Sequence, residues 1–212
     1  MNSLFQTQEY SDASLVRKLT DYPVQRRGLC FGMSLNWLRS IAKFSIFEKK
    51  EERISRISDK EATDSYYYST LAVQNIFIQL LRKSKNKGES KNKCLHSSLQ
   101  AAANFVGLEL ATSEKNLSRI PIGSAEDNHL LTDLMFSAQT GSYFLIGIYA
   151  PGNGHAIACH VEKSLGKNYY AFFCSMNGEY FVPESSLGTW INQHLRCFPG
   201  TEKFFVAELT AQ

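Results

Sequence analysis

Residues 28–38 read GLCFGMSLNWL, and the placement of one cysteine in this stretch decides the fold. Met33, Trp37, Leu38, Ile41 and Phe44 recur at helical spacing, so a helix is expected from Cys30 to about Phe47, with Ser34 and Asn36 on its other side. Gly28 lets the chain turn sharply into that helix. A thiol in a first helical turn faces the positive end of the helix dipole, which favours its thiolate. A buried cysteine acting only as a small apolar residue would look the same at this point.

Working outward, residues 1–27 are weakly patterned and are set apart as an N-terminal leader segment, leaving 28–212 as a single domain. A second, buried helix is expected from about Thr63 to Arg82. The run KSKNKGESKNK, Lys83–Lys93, reads as a lysine-rich mobile loop. Cys94–Phe105 and Ala125–Ala138 read as helices, with a short strand over Val106–Ala111. Beyond Gly141 the period changes to two. Strands are expected at Tyr143–Tyr149, Ala156–Glu162, Tyr169–Cys174, Tyr180–Val182 and Phe204–Leu209, with a short helix at Leu187–Leu195. The intervening PGNG, LGKN and MNG turns make the strands antiparallel. Helices first and antiparallel strands afterwards is an α+β order, with the helical part packed on the sheet.

Composition excludes several function classes. A formal charge of +3 spread over 212 residues gives no dense basic face, so no nucleic-acid partner is expected. The five cysteines, Cys30, Cys94, Cys159, Cys174 and Cys197, are too few and too uneven for a disulfide framework. Cys94-x-His96, Cys159-His160 and His194-x-x-Cys197 lack the paired spacing of a tetrahedral zinc site, so neither metal nor cofactor is expected. The amino terminus shows no signal-peptide pattern, and Asn2 excludes N-myristoylation of the unprocessed chain.

A nucleophilic thiol needs a base, usually an imidazole. Of the five histidines, His155 stands out, because PGNGHAIACH sets it after a glycine turn at the head of an alternating strand. His155, Ile157, Cys159 and Val161 share one face; Ala156, Ala158 and His160 share the other. A hydrogen-bonded structural histidine is the bland alternative, and His160 is a rival base on the opposite face.

Taken together, Gly28, Cys30 and Trp37, then Gly154, His155 and Ala156, then FFCSMNGEY at Phe172–Tyr180, resemble the YopT/AvrPphB-type effector cysteine peptidases of the papain-like clan. The resemblance implies a papain-like α+β fold, with Cys30 as nucleophile and His155 as base. It implies a bacterial effector that leaves the cell by a non-classical secretion system and acts on a host protein in the host cytoplasm. The family's third residue, an Asp that orients the imidazole, falls on Cys174 here, and the Pro-Asn that follows it falls on Ser175-Met176. Three readings stay open: Ser175, Glu179 or a backbone carbonyl orients His155; a Cys-His dyad suffices; or the domain binds without catalysis. Gln25, five residues before Cys30, takes the oxyanion-donor position of papain-like enzymes beside the Cys30 N–H. Glutamine deamidation or acyl transfer would use the same Cys-His pair. Contact of Lys83–Lys93 with an acidic membrane surface is expected to be weak at most.

Overall fold

A computed structural model describes residues 6–9, 29–47, 49–58, 66–117, 120–121, 125–150, 153–164, 167–196, 198, 200 and 202–212. Among them six helices are α1 Cys30–Phe44, α2 Lys50–Ser58, α3 Tyr66–Asn86, α4 Lys91–Phe105, α5 Ala125–Ser137 and α6 Leu187–Arg196. The strands are β1 Gln6–Glu9, β2 Leu108–Leu110, β3 Ile120–Pro121, β4 Tyr143–Ala150, β5 Asn153–Ser164, β6 Lys167–Cys174, β7 Gly178–Pro183 and β8 Lys203–Ala211. They form one antiparallel sheet in the order β1-β7-β6-β5-β4-β8-β2, with β3 also paired to β8. The α+β architecture and the antiparallel strands are as the turn chemistry required. Gln6–Glu9, inside the segment set apart as a leader, adds the outermost strand beside β7.

The strict alternation of β5 and β6 gives the sheet two apolar faces. Ala156, Ala158, Ala171 and Phe173 pack with α1, α3 and α4, while Ile157, Cys159, Val161 and Phe172 pack with α5 and α6. Small side chains on the first face let α1 lie close to β5, and the Ser34 hydroxyl donates to the Ala156 carbonyl at 3.2 Å. Ser34 and Asn36 are therefore not on a solvent side. Both are fully buried, and the Asn36 amide donates to the Thr70 hydroxyl of α3 at 2.9 Å. Gly32 faces the Thr70 carbonyl so closely that no Cβ would fit.

Three boundaries differ from expectation. Helix α1 ends at Phe44 rather than near Phe47, because Ser45 turns to a positive φ of 76° and its N–H closes on the Ile41 carbonyl. Lys83–Lys93 is not a loop. Lysine is a good helix former, and Lys83 and Lys85 lie where cations favour a helix C-terminus. Gly88, at φ 73°, then supplies the turn, and the Ser90 hydroxyl caps α4 by accepting from Lys93 N–H at 3.1 Å. The connection is a tight helical hairpin. Finally, α2 had no apolar run to announce it, since KEERISRIS is mostly charged.

Its charge is nonetheless the reason it is held. Arg53 of α2 is 1% exposed and grips the fully buried Glu179 of β7 with two bonds, Nη2 to Oε1 at 2.7 Å and Nε to Oε2 at 3.1 Å. Trp37 of α1 donates its indole N–H to Glu179 Oε2 at 2.8 Å, and Arg53 Nη1 donates to the Ile46 carbonyl at 2.9 Å. The glutamate is engaged here, which removes it as an orienting partner for His155. Breaking a buried pair from one side leaves an uncompensated charge, so Arg53→Ala should lower stability by about 3–5 kcal/mol. Urea unfolding followed by tryptophan fluorescence measures this; a loss under about 1 kcal/mol would mean the pair is not carrying that load.

Candidate functional site

Strands β5 and β6 bring the candidate residues to one end of the sheet. Cys174 pairs with Ile157 in register, and the alternation puts its side chain on the same face as His155. The His155 Nε2 atom is 3.3 Å from Cys174 Sγ. Cys174 is thus the side chain in contact with Nε2, and Nδ1 is the other ring nitrogen. On its other side the His155 ring stacks on Phe198, with centroids 4.5 Å apart.

Cys30 opens α1, whose first turn carries no acidic side chain and no side-chain cap at Leu29. The first-turn N–H of Gly32 is taken by Gln74 Oε1 of α3 at 3.1 Å. Cys30 lies near enough to Cys174 for its charge to bear on that thiol, and one helical turn on, Ser34 is bonded to the residue after His155. Of the four described thiols Cys30 keeps the most exposure, 8%, against 4% for Cys94 and none for Cys159 and Cys174. All four described thiols are buried, Cys30 the least deeply.

The electrostatics of the pocket favour neutral groups. Burial, with a contribution from the His194 ring, pushes His155 down to about 3, so it is a neutral imidazole at physiological pH and a weaker base than a solvated histidine. Burial alone takes His194 down to about 4. Burial raises the Cys174 thiol to about 11, although the Met176 and Asn177 backbone N–H groups and the Asn177 side-chain amide oppose that shift.

Other sequence candidates fare differently. Ser175 is fully buried beside Cys174, in the turn that carries Asn177. Gln25 lies outside the described residues. His160 is buried mid-strand on the opposite face, stacked on Tyr143 and 3.4 Å from Glu162, away from the Cys174 end. No group of three or more His, Cys, Asp or Glu side chains among the described residues is arranged to hold a metal ion. No described helix is long and apolar enough to cross a membrane. Sequence reasoning missed Asn177 and His194. Asn177 sits in the MNG turn, read only as a turn, and its amide Nδ2 lies 3.2 Å from Cys174 Sγ. His194 was weighed only as a zinc ligand, although its position on the apolar stripe of α6 with Trp190 and Ile191 foretold burial.

A helix opened by a cysteine and packed on an antiparallel sheet makes this an α+β, papain-like fold. The crystal structure of the Pseudomonas avirulence protein AvrPphB matches it over 97% of this chain and 98% of that one, with a TM-score of 0.67 at 19% identity. The fold expected from the three motifs is therefore found over essentially the whole chain. A ubiquitin-specific protease encoded by a murine cytomegalovirus tegument protein, solved with a ubiquitin-based suicide substrate, matches more loosely. It gives a TM-score of 0.48 at 9% identity, over 96% of this chain and 85% of that one. No family model and no curated protein matches the sequence.

The two depressed histidines have a measurable consequence. Unfolded, both rings titrate near ~6.5; folded, they refuse the proton until about 3 and 4. Their contribution to stability is therefore full above ~6.5 and is lost as pH falls toward those folded values. Melting temperature should drop from pH 7 to 4, and His194→Gln should flatten that drop. A variant whose pH dependence parallels the wild type would show that His194 is not held neutral by folding.

Proposed function

We propose that this chain is a thiol hydrolase of the effector type, acting on a host protein, with peptide-bond cleavage as its reaction. Cys30 Sγ attacks the substrate carbonyl as Nδ1 of His155 takes the thiol proton. The ring returns that proton to the departing amine as the peptide C–N bond breaks, and water then cleaves the thioester to regenerate the thiol and release a carboxylic acid. The Cys30 N–H at the head of α1, and Gln25, are the proposed donors to the developing oxyanion. The observation that carries this reading is the 3.3 Å contact between His155 Nε2 and Cys174 Sγ, on the strand that α1 meets through the Ser34–Ala156 bond. It sets a half-buried, neutral imidazole in an orienting contact, which a bystander strand histidine does not need. The host-cell site of action and the secretion route follow from the family resemblance. Deamidation of a glutamine side chain, or acyl transfer to an amine, differs only in substrate pose.

One observation favours a second reading, a non-catalytic module that binds a host protein through the same cleft. The orienting residue is a neutral thiol, which stabilises an imidazolium far less than a carboxylate does. An epoxysuccinyl probe separates the two. The hydrolase reading expects labelling of Cys30 over the other four thiols, lost in His155→Ala; equal labelling of all five would favour the binding module. Comparing host lysate treated with wild type and with Cys30→Ala by mass spectrometry then distinguishes cleavage from deamidation.

The helical hairpin around Gly88 is proposed to add a weak electrostatic contact with acidic head groups, since Arg82, Lys83, Lys85, Lys87, Lys91 and Lys93 are all exposed. Co-sedimentation with phosphatidylserine vesicles should be measurable at low salt and lost near physiological ionic strength. Binding that ignores salt would rule out a charge-driven contact.

A further inference from the structure

We propose that Cys174 and Asn177 together hold His155 in the Nδ1–H tautomer, so that the resting site carries its proton on the nitrogen that Cys30 would need bare. The argument is an inventory of hydrogens around one sulfur. A neutral thiol has one hydrogen to give, and its sulfur is only a weak acceptor. The Cys174 sulfur is already faced by a donor, the Asn177 side-chain Nδ2 at 3.2 Å, while the Asn177 backbone N–H closes the turn on the Cys174 carbonyl at 3.0 Å. That amide takes up the weak acceptor capacity of the sulfur. The thiol hydrogen must point elsewhere, and the acceptor in contact is His155 Nε2 at 3.3 Å.

The thiol remains protonated at physiological pH, because burial raises it to about 11 despite the neighbouring turn donors. With S–H donated to Nε2, the neutral ring bears its own hydrogen on Nδ1. A carboxylate at this position has no hydrogen to give and would impose the reverse. The donors around position 174 are arranged as if for an anion, and the sequence has put a donor among them. The site is throttled, because the form with Nδ1 bare is a minor tautomer that must be reached before proton transfer. That consequence for turnover rests on the hydrolase reading proposed above; the tautomer assignment does not.

Two substitutions invert the arrangement. Cys174→Asp supplies an acceptor that the Asn177 amide and the turn N–H groups already suit. Asn177→Asp leaves Cys174 in place but offers its S–H an alternative acceptor, freeing the sulfur to accept from Nε2–H. Cys174→Ser keeps a hydroxyl hydrogen for Nε2 and so keeps the wild-type tautomer. The full chain labelled with ¹⁵N-histidine reports the tautomer directly through long-range ¹H–¹⁵N correlations, and iodoacetamide reports the reactivity of Cys30.

The expected result is Nδ1–H in wild type and in Cys174→Ser, and Nε2–H in Cys174→Asp and Asn177→Asp. Alkylation of Cys30 should rise roughly tenfold or more in both acidic variants. A wild-type ring already in the Nε2–H form would overturn the proposal, as would acidic variants that leave the tautomer unchanged. Should the tautomer invert while Cys30 stays inert in every variant, the assignment stands and the hydrolase reading falls. Asn177→Asp covers the case in which a buried aspartate at 174 prevents folding.

Discussion

The carboxylate of Glu179 is out of reach of water, and both the helix that opens with Cys30 and the hairpin that carries Cys174 are fastened to it. Arg53 of α2 and Trp37 of α1 both spend their polar atoms on its two oxygens. Trp37 lies two turns beyond Cys30, and its ring stacks 5.8 Å from Phe173, the residue before Cys174. Glu179 in turn faces Phe173 in the β6–β7 register. One ion therefore ties the helix that carries the thiol to the hairpin that carries the residue behind the imidazole. A buried pair of this kind contributes little net stability against an apolar substitute, because both charges give up their hydration. Its value here is in alignment, since neither α1 nor the hairpin can shift without stranding a charge.

Helix α1 has little freedom for other reasons too. It is buried on nearly every side: Ser34 is bonded to β5, Asn36 to α3, and Gly32 meets the backbone of Thr70. Such packing passes through the interior of the fold rather than along its surface, so the direction of the first helical turn is set by residues as far away as Thr70 and Gln74. The imidazole is similarly boxed, between the Cys174 sulfur and the Phe198 ring. Preorganised geometry of this sort is what a proton transfer between side chains requires.

Much of the fold was legible because its signals are local. The period-two runs of β4, β5, β6 and β8 and the helical period after Cys30 each lie within a single element, and each element formed where its pattern placed it. Helix α2 was not legible, because its stabilising residue is an arginine whose partner is 126 positions away. The lysine run was misread for a related reason. Composition there argues for solvation, and lysine is solvated equally well on a helix, so the Gly88 turn and the Ser90 cap were the informative residues. At the site, the sequence FFCSMNGEY brought Cys174 forward as a candidate only through its resemblance to a motif with an acidic residue there. That the thiol would itself touch the ring could not be read there, because Ser175 and Glu179 are equally polar neighbours until the strand register assigns each one a face.

The outermost strand of the sheet carries a different implication. Gln6–Glu9 covers β7 along the stretch that includes Glu179 and Gly178, satisfying backbone groups beside the hairpin on which Cys174 sits. A proteolytic cut between this strand and the rest of the chain would leave a bare row of amides and carbonyls along that border. Such a border welcomes any extended polypeptide, so the loss of a few residues would turn a sealed margin into an adhesive one.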